Sequence, residues 1–327
     1  ELEAVERLLA DGFKPRRTVY LMFGHDEEIG GQQGAAQIAA LLQQRGIKLD
    51  FVLDEGLLII SGVLPGLDVP AAAIGIAEKG SLTVKLSVPG PTGHSSMPPP
   101  PGQSAIAVLA AALARVDAQP MPGGIKGVVR QMLETVAPEM SWQYRIAMSN
   151  LWLFGPLIEP VLARSPSTNA LIRTTTALTV FSAGNKGNVL PGRAEATVNF
   201  RLLPGDPQDK VLDHLRRAVA DPRVKIEPEP DASEASRVAS TESGAYRLVE
   251  RTLREVFPDA VVVPGLMVGA TDSGHFASVA DQILRFSPVR ANAEDLKRFH
   301  GTNERIALNN LADMVRFHHR LVQQAAQ

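Results

Sequence analysis

The order of predicted elements in the middle of this chain limits its possible folds more than any other feature. Side chains alternate between apolar and polar at residues 82–88, which predicts a half-buried strand. Further elements follow at about 104–115 (helix), 178–182 and 194–203 (strands), 208–220 (helix) and 224–227 (strand). This β-α-β-β-α-β order is that of a ferredoxin-like unit, the split βαβ.

Helices and short apolar strands alternate on both sides of this middle part, which is typical of an α/β sheet. A chain of 327 residues suits two domains. We therefore predict one α/β domain that is interrupted by a smaller inserted domain. The predicted parts are residues 1–78 (first part of the α/β domain), 79–233 (inserted domain) and 234–327 (second part).

The inserted domain contains a further insert at about 120–169, where both tryptophans of the chain lie. Its apolar stretches, such as residues 151–154, favour helices. Two interpretations of this insert stay open at this point. It is either a lid that closes over a cleft, or a packing elaboration or dimer contact.

Composition excludes several classes of function. The formal charge is -2, with 33 basic and 35 acidic residues and no basic run, so nucleic acid is not expected as a partner. No apolar stretch approaches the roughly 20 residues that span a bilayer. The chain has no cysteine, so thiol catalysis is excluded and any zinc must be held by His, Asp and Glu. The cellular compartment stays unknown.

The first candidate site follows residues 18–23, an apolar run that predicts a buried strand of a parallel sheet. Four consecutive ionisable residues come next, at 25–28. Binding sites collect at the carboxyl ends of strands in open α/β sheets. Two adjacent acids there, Glu27 and Glu28, suit a general base beside a metal ligand. The alternative interpretation is that both acids favour the start of a helix.

Two further candidates are weaker when taken alone. Asp54 follows the predicted strand 51–53 and is expected in the same crevice, although it also suits a turn before a glycine. His300 precedes the last predicted helix, at about 303–324, where Thr302 or Asn303 is a candidate N-cap. A neutral imidazole is a good zinc ligand, but a lone His before a helix is common.

Four candidates remain, and two of them, Arg201 and Thr271, suit recognition of an anionic group. His94 follows the first strand of the inserted domain, and Asn188 precedes Arg201 by thirteen residues. A guanidinium captures a carboxylate through two hydrogen bonds. Thr271 stands in a loop whose hydroxyl and amides suit an anion at a helix start.

Together these motifs resemble the two-zinc aminoacylase/carboxypeptidase metallopeptidase family, in particular its carboxypeptidase S and N-fatty-acyl-amino acid hydrolase branch. The ordered set is Asp-Glu-Glu-x-Gly-Gly, Asp-Glu-Gly, Gly-His-Ser-Ser, Asn-x-x-Pro, Thr-Asp-Ser and His-Gly-x-Asn-Glu, and it extends over nearly the whole chain. The resemblance implies a zinc-peptidase-like α/β catalytic domain, interrupted by a ferredoxin-like lid and dimerisation domain, with two zinc ions and a homodimer.

The resemblance also implies a role for each matching residue. One group matches the metal centre: Glu27 as general base, Glu28 and His300 as ligands of one zinc, and Asp54 as a ligand of the other. A second group matches substrate recognition: His94 as the oxyanion-stabilising histidine, often acting in the partner subunit's site, Asn188 and Arg201 as the pair that grips the substrate, and Thr271 as a residue facing its carboxylate.

One departure from the family pattern is large. The family's His-x-Asp motif and bridging Asp, both expected before residue 24, have no match here. We therefore expect an N-terminally truncated chain that by itself holds little zinc and turns over no substrate. The expected activity of the complete protein is hydrolysis of N-acyl amino acids or C-terminal peptide bonds by a dizinc-activated water. The alternative is a non-catalytic relative that binds carboxylates or peptides.

Overall fold

The structure is a computed structural model that describes residues 1–62 and 64–327. Its contacts divide the chain into two compact units. Unit 1 comprises Glu1–Ala77, Lys126–Pro156 and Arg237–Gln327, and unit 2 comprises Glu78–Ile125 and Leu157–Ser236. The sequence pattern assigns the whole insert at 120–169 to the inserted domain, whereas the contacts group its first helices with unit 1.

Helices and strands make up most of the chain. The helices are α1 (Leu2–Ala10), α2 (Ala35–Gln44), α3 (Ala105–Ala118), α4 (Gly127–Val136), α5 (Trp142–Ser149), α6 (Leu151–Leu162), α7 (Pro166–Ile172), α8 (Gln208–Val219), α9 (Gly244–Val256), α10 (Ala293–Leu296) and α11 (Leu308–Ala325). The strands are β1 (Val52–Ser61), β2 (Ala71–Glu78), β3 (Gly80–Pro89), β4 (Gly93–His94), β5 (Thr175–Ala183), β6 (Val189–Leu190), β7 (Arg193–Leu202), β8 (Lys225–Pro228), β9 (Val261–Met267) and β10 (Ile283–Asn292).

Unit 2 confirms the predicted β-α-β-β-α-β order. Its antiparallel sheet has the strand order β5-β7-β3-β8, and α3 and α8 are the two helices of the predicted pattern. The alternating residues of β3 are buried as the sequence pattern predicts, and they pack with apolar side chains of both helices. The fold is thus mixed α/β.

Unit 1 contains a mixed sheet with the order β1-β10-β2-β9, in which β1 and β10 run parallel and β2 runs antiparallel to both. Strand β1 is longer than the predicted 51–53, and its register shifts between Asp54 and Leu57. Such bulges often lie beside functional sites because they redirect side chains. Helix α2 packs beside the 3-10 helix Asp272–Ser278 through small and aromatic side chains.

The predicted strand at 18–23 is wrong. These residues have no regular secondary structure, and most of their apolar side chains are exposed. A strand needs a neighbour for its backbone hydrogen bonds, and no described residue pairs with this segment in a ladder. The predicted start of the last helix is also wrong, because α11 begins at Leu308 after Ala307 and neither Thr302 nor Asn303 caps it.

The insert joins unit 1 because of how α4 packs. One side of this helix buries Val128, Val129, Leu133 and Val136, and it contacts β9. Helices α5 and α6 follow it. No helix in the described part of the chain is long and apolar enough to cross a membrane.

A buried lysine ties together two segments of unit 2. Lys79 is 2% exposed, and its ammonium group donates to the carbonyl oxygens of Ala170 and Arg173, each at 2.9 Å. Burial lowers the pKa of Lys79 from 10.5 to about 8, and the charge of Arg201 acts in the same direction while Asp206 opposes it. Loss of this lysine would leave two carbonyl groups without their donor.

We expect Lys79→Met to lower the free energy of unfolding by about 1–3 kcal/mol at neutral pH, since two partly buried carbonyls lose a partner. The folded state loses the lysine proton first as pH rises, so stability of the unchanged protein increases between about pH 8 and 10.5. The difference between the two proteins therefore grows over that range. Urea unfolding at several pH values measures it, with Lys85→Met as control, since the Lys85 side chain is 41% exposed. Equal pH dependence in Lys79→Met and the unchanged protein would contradict the prediction.

Candidate functional site

The acidic motif forms a short turn in unit 1. Residues Glu27–Ile29 make one turn of 3-10 helix, followed by Gly30 and Gly31 with φ of 99° and 64°. Both values lie in the left-handed region that favours glycine. The buried Asp26 holds the turn from inside, because its Oδ2 accepts a hydrogen bond from the Gln33 amide at 2.7 Å. The Glu27 and Glu28 side chains are therefore presented by a fixed turn.

The 3-10 helix Asp272–Ser278 contacts this turn through Asp272 and His275, and we call this pair of contacts the clamp. The Asp272 carboxylate lies so close to Gly24 and Gly31 that a Cβ on either glycine would overlap it. His275 Nε2 lies 3.1 Å from the Gly30 carbonyl oxygen and donates to it. Two side chains of one short helix thus fix the loop that carries the predicted base.

The structure brings together the predicted ligands Glu28 and His300. His300 Nδ1 lies 3.6 Å from Glu28 Oε1, although 272 positions separate the two residues, and both side chains are largely exposed. His300 has a φ of 54°, and its amide donates to Glu304 Oε1 at 3.2 Å. An imidazole and a carboxylate at this separation can turn towards one shared cation.

Asp54 lies inside β1 at the register shift, not after the strand as predicted. Its Oδ1 accepts a hydrogen bond from the Glu55 amide at 2.8 Å. Its Oδ2 is buried and has no hydrogen-bond partner among the described residues. A buried carboxylate oxygen without a donor is costly, and a cation would satisfy it.

The carboxylates of this region repel one another. Burial raises the pKa of Glu27, and the charges of Glu55, Glu28, Asp272 and Asp54 raise it further. Burial and then Asp54 likewise raise the pKa of Glu55 and that of Asp272. Crowded negative charge of this kind favours a bound cation.

Oxygen and imidazole donors suit zinc, so Glu28, His300 and Asp54 fit a metal by their chemistry and by the unpartnered Oδ2. Within residues 1–62 and 64–327, no three His, Asp or Glu side chains already converge on one point. The sequence pattern assigns no role to Asp272 or to Glu55. Both carboxylates raise the pKa of Glu27. That effect depends on their distance from Glu27 in the folded chain, which the local sequence does not give.

A second group of predicted residues lies in unit 2. Strands β4 and β6 pair His94 with Val189, and the Ser95 amide donates to the Asn188 carbonyl at 3.0 Å. His94 Nδ1 lies 2.9 Å from Ser96 Oγ. The exposed imidazole is thus held next to the loop that carries Asn188.

Arg201 does not join His94 and Asn188. It is near the end of β7, whereas the loop with Asn188 precedes the first residue of that strand, Arg193. The eight steps between Arg193 and Arg201 correspond to about 26 Å at roughly 3.3 Å per residue. The structure therefore separates Asn188 from Arg201, which the sequence had paired on one substrate.

Thr271 caps the short helix that clamps the acidic turn. Its Oγ1 accepts from the Ser273 amide at 3.3 Å and lies 2.7 Å from Ser273 Oγ. The side chain is buried. Its described contacts are thus those of a residue that shapes the loop before Asp272.

The clamp makes Gly31→Ala a sensitive substitution. The new Cβ would overlap Asp272 Oδ1 at a backbone with φ of 64°, so we expect a loss of about 2–4 kcal/mol from strain and overpacking together. Gly12→Ala is the matched control, because Gly12 has a φ of 73° and nothing within 4 Å of its added Cβ. Chemical denaturation compares the two. Equal losses would show that Asp272 does not restrict this position.

The chain is similar to known peptidases and amino acid hydrolases over nearly its whole length. The model of a peptidase dimerisation domain matches residues 76–227. The N-fatty-acyl-amino acid synthase/hydrolase PM20D1.1 of Danio rerio is 45% identical over 98% of this chain and 62% of its own length. The probable carboxypeptidase S-like 2 of Dictyostelium discoideum is 44% identical over the same shares. The chain thus spans less than two thirds of the length of these relatives.

Solved structures share the fold. An M20 family metallo-carboxypeptidase, Sso-CP2 from Sulfolobus solfataricus, aligns with a TM-score of 0.62 at 18% identity, over 98% of this chain and 73% of that one. Human carnosine dipeptidase 1 aligns with a TM-score of 0.61 at 16% identity, over 100% and 70%. At these identities the likeness concerns the architecture.

Proposed function

Because the chain belongs to the M20 family of metallopeptidases, we propose that its protein hydrolyses the amide bond of N-acyl amino acids or C-terminal peptide bonds. The observation that carries the proposal is the approach of Glu28 and His300 to 3.6 Å beside Glu27. Relatives named as N-fatty-acyl-amino acid hydrolases and as carboxypeptidases support the amide as the bond attacked.

In the proposal, Glu28 and His300 hold one zinc ion and Asp54 contributes to the site of a second. A zinc ion bound there would polarise the scissile carbonyl and lower the pKa of a coordinated water. The crowded carboxylates and the unpartnered Asp54 Oδ2 support a cation at this place.

Glu27 acts in the proposal as the general base. Its carboxylate takes a proton from the attacking water and delivers it to the leaving amine. The raised pKa of Glu27 supports this role, because a more basic carboxylate transfers protons at neutral pH with less cost. In the proposal, the exposed imidazole of His94 donates a hydrogen bond to the oxyanion in the partner subunit's site. The match to a peptidase dimerisation domain supports this placement in a dimer.

Arg201 binds the free carboxylate of the substrate in the proposal, through the paired N–H groups of its guanidinium. Asn188 and Thr271 complete the recognition of that end of the substrate. Since Asn188 lies far from Arg201 in one chain, these two residues contact substrate from different subunits. A non-catalytic carboxylate-binding role is not favoured, because the similar relatives are named as hydrolases.

Hydrolysis of a substrate panel tests the proposal. The complete protein, supplied with zinc, is assayed against N-acyl amino acids of short and long acyl chains and against dipeptides, with amine release as the readout. We expect turnover that a chelator abolishes and zinc restores. Absence of turnover on every member of the panel would overturn the proposal.

A further inference from the structure

His94 is the first residue of a tight turn in unit 2. The Met97 amide donates to the His94 carbonyl oxygen at 3.1 Å, which is the hydrogen bond that closes a β-turn. His94 also pairs with Val189 of β6. The Ser95 amide donates to the Asn188 carbonyl oxygen at 3.0 Å. The backbone that carries the imidazole is therefore held both within the turn and from the neighbouring strand.

The ring of His94 lies back over this turn and contacts Ser96 twice. Its Nδ1 accepts a hydrogen bond from the Ser96 backbone amide at 3.2 Å, and the Ser96 hydroxyl oxygen lies 2.9 Å from the same nitrogen. Both contacts join residues of one turn, so they depend on no other part of the fold. An exposed side chain would otherwise sample several rotamers, and these two contacts restrict the orientation of the ring.

The backbone contact decides which ring nitrogen carries the proton. A backbone N–H can only donate, and a neutral imidazole has one nitrogen that donates and one that accepts. Since Nδ1 accepts from the Ser96 amide, the proton of the neutral His94 ring lies on Nε2. In the other tautomer an N–H group of the ring would face the amide N–H, and the amide would lose its acceptor.

The Ser96 hydroxyl strengthens the same choice. A hydroxyl hydrogen can rotate towards whichever acceptor is near. Beside an unprotonated Nδ1 at 2.9 Å, the hydroxyl acts as a second donor to the ring. Two donors of one residue thus favour the tautomer of His94 with its proton on Nε2.

We propose that Ser96 is a positioning residue that fixes the tautomer and the orientation of His94, so that Nε2–H is the donor towards substrate. His94 is exposed, and no group within residues 1–62 and 64–327 forms a hydrogen bond with its Nε2. This N–H is therefore available to an oxyanion. The catalytic consequence rests on the proposed function, in which His94 stabilises the oxyanion.

NMR spectroscopy of the ring nitrogens tests the proposal. The 327-residue chain is labelled with isotopic nitrogen in its histidines and measured without zinc or substrate at about pH 8.5, where imidazoles are neutral. We expect an unprotonated Nδ1 and a protonated Nε2 for His94, with His94→Gln to assign the signals. His318 is the reference for the opposite tautomer, because its Nδ1 lies 2.8 Å from the Met314 carbonyl oxygen, which can only accept.

Substitutions separate the Ser96 hydroxyl from the backbone amide. Ser96→Ala retains the amide and removes the hydroxyl, so the ratio of the Nε2–H to the Nδ1–H tautomer should fall by about fivefold, the effect of one net hydrogen bond. Ser96→Thr retains the hydroxyl and should keep the ratio of the unchanged chain. Ser95→Ala is the matched control, since Ser95 is an exposed serine of the same turn, and its hydroxyl has no hydrogen bond within the described part of the chain.

Two results would overturn the proposal. One is a protonated Nδ1 on His94 in the unchanged chain. The other is a tautomer ratio that is the same in the Ser96→Ala and Ser95→Ala chains. Both readouts are independent of hydrolysis, so the expected tautomer together with a substrate panel that shows no turnover would overturn the proposed function and support the role of Ser96.

Discussion

Replacing Glu27 with Gln is expected to lower kcat for amide hydrolysis by about 10³-fold, within the range of 10²–10⁴ that positioned proton transfer supplies. The amide has the size of the carboxylate but cannot take the proton of the attacking water. KM should change little, because Glu27 is proposed to act on the water and the leaving amine and not on substrate binding. The zinc content of the complete protein should also be retained, since Glu28, His300 and Asp54 are unchanged.

Steady-state kinetics and metal analysis on the same preparation measure this effect. Glu6→Gln is the control, because Glu6 is an exposed acid on α1 outside the acidic cluster, and its kcat should stay that of the unchanged protein. A Glu27→Gln protein that retained kcat within about threefold would remove Glu27 from the mechanism. A loss of zinc in parallel with activity would instead make it a ligand.

The second large effect concerns the sheet of unit 2. Phe200→Ala should destabilise this unit by about 3–5 kcal/mol, because Phe200 is 1% exposed and its removal leaves a cavity among the core side chains. Phe181→Ala is the matched control, since Phe181 lies on the neighbouring strand β5 and is 47% exposed. Its loss should be small.

Hydrogen exchange of unit 2 amides is the suitable measurement, because a chain of two units need not unfold in one step. We expect Phe200→Ala to accelerate exchange in β3 and β7, and to leave exchange in β1 and β10 of unit 1 nearly unchanged. Equal protection of β3 in the Phe200 and Phe181 variants would contradict the assignment of Phe200 to the core.

The sequence predicted unit 2 well because its strands face the core on one side only. The alternation of Leu82, Val84, Leu86 and Val88 is a local pattern, and all four side chains are buried in the core as it predicts. Strand β2 was not predicted, because its run is buried at nearly every position and shows no alternation. The apolar run at 18–23 led to the prediction of a strand that is not formed. Strand formation depends on a neighbouring strand, which the local sequence does not encode.

The candidate site was predicted through motif order, and its geometry was not. No spacing rule brings Glu28 to His300 across 272 positions; the fold does that. Asp272 was part of a recognised motif, yet its contact with Gly24 and Gly31 depends on two loops that meet only in the folded unit. The same holds for Glu55, whose effect on Glu27 comes from proximity.

The length of β7 has a consequence for mixed oligomers. His94 and Arg201 lie near opposite ends of this strand, so one small substrate cannot touch both in a single chain. If both residues contact substrate, each active site contains His94 of one subunit and Arg201 of the other. Co-expression of a His94→Ala chain with an Arg201→Ala chain should then restore activity that neither possesses alone, since a mixed pair would contain one centre with both defects and one with none.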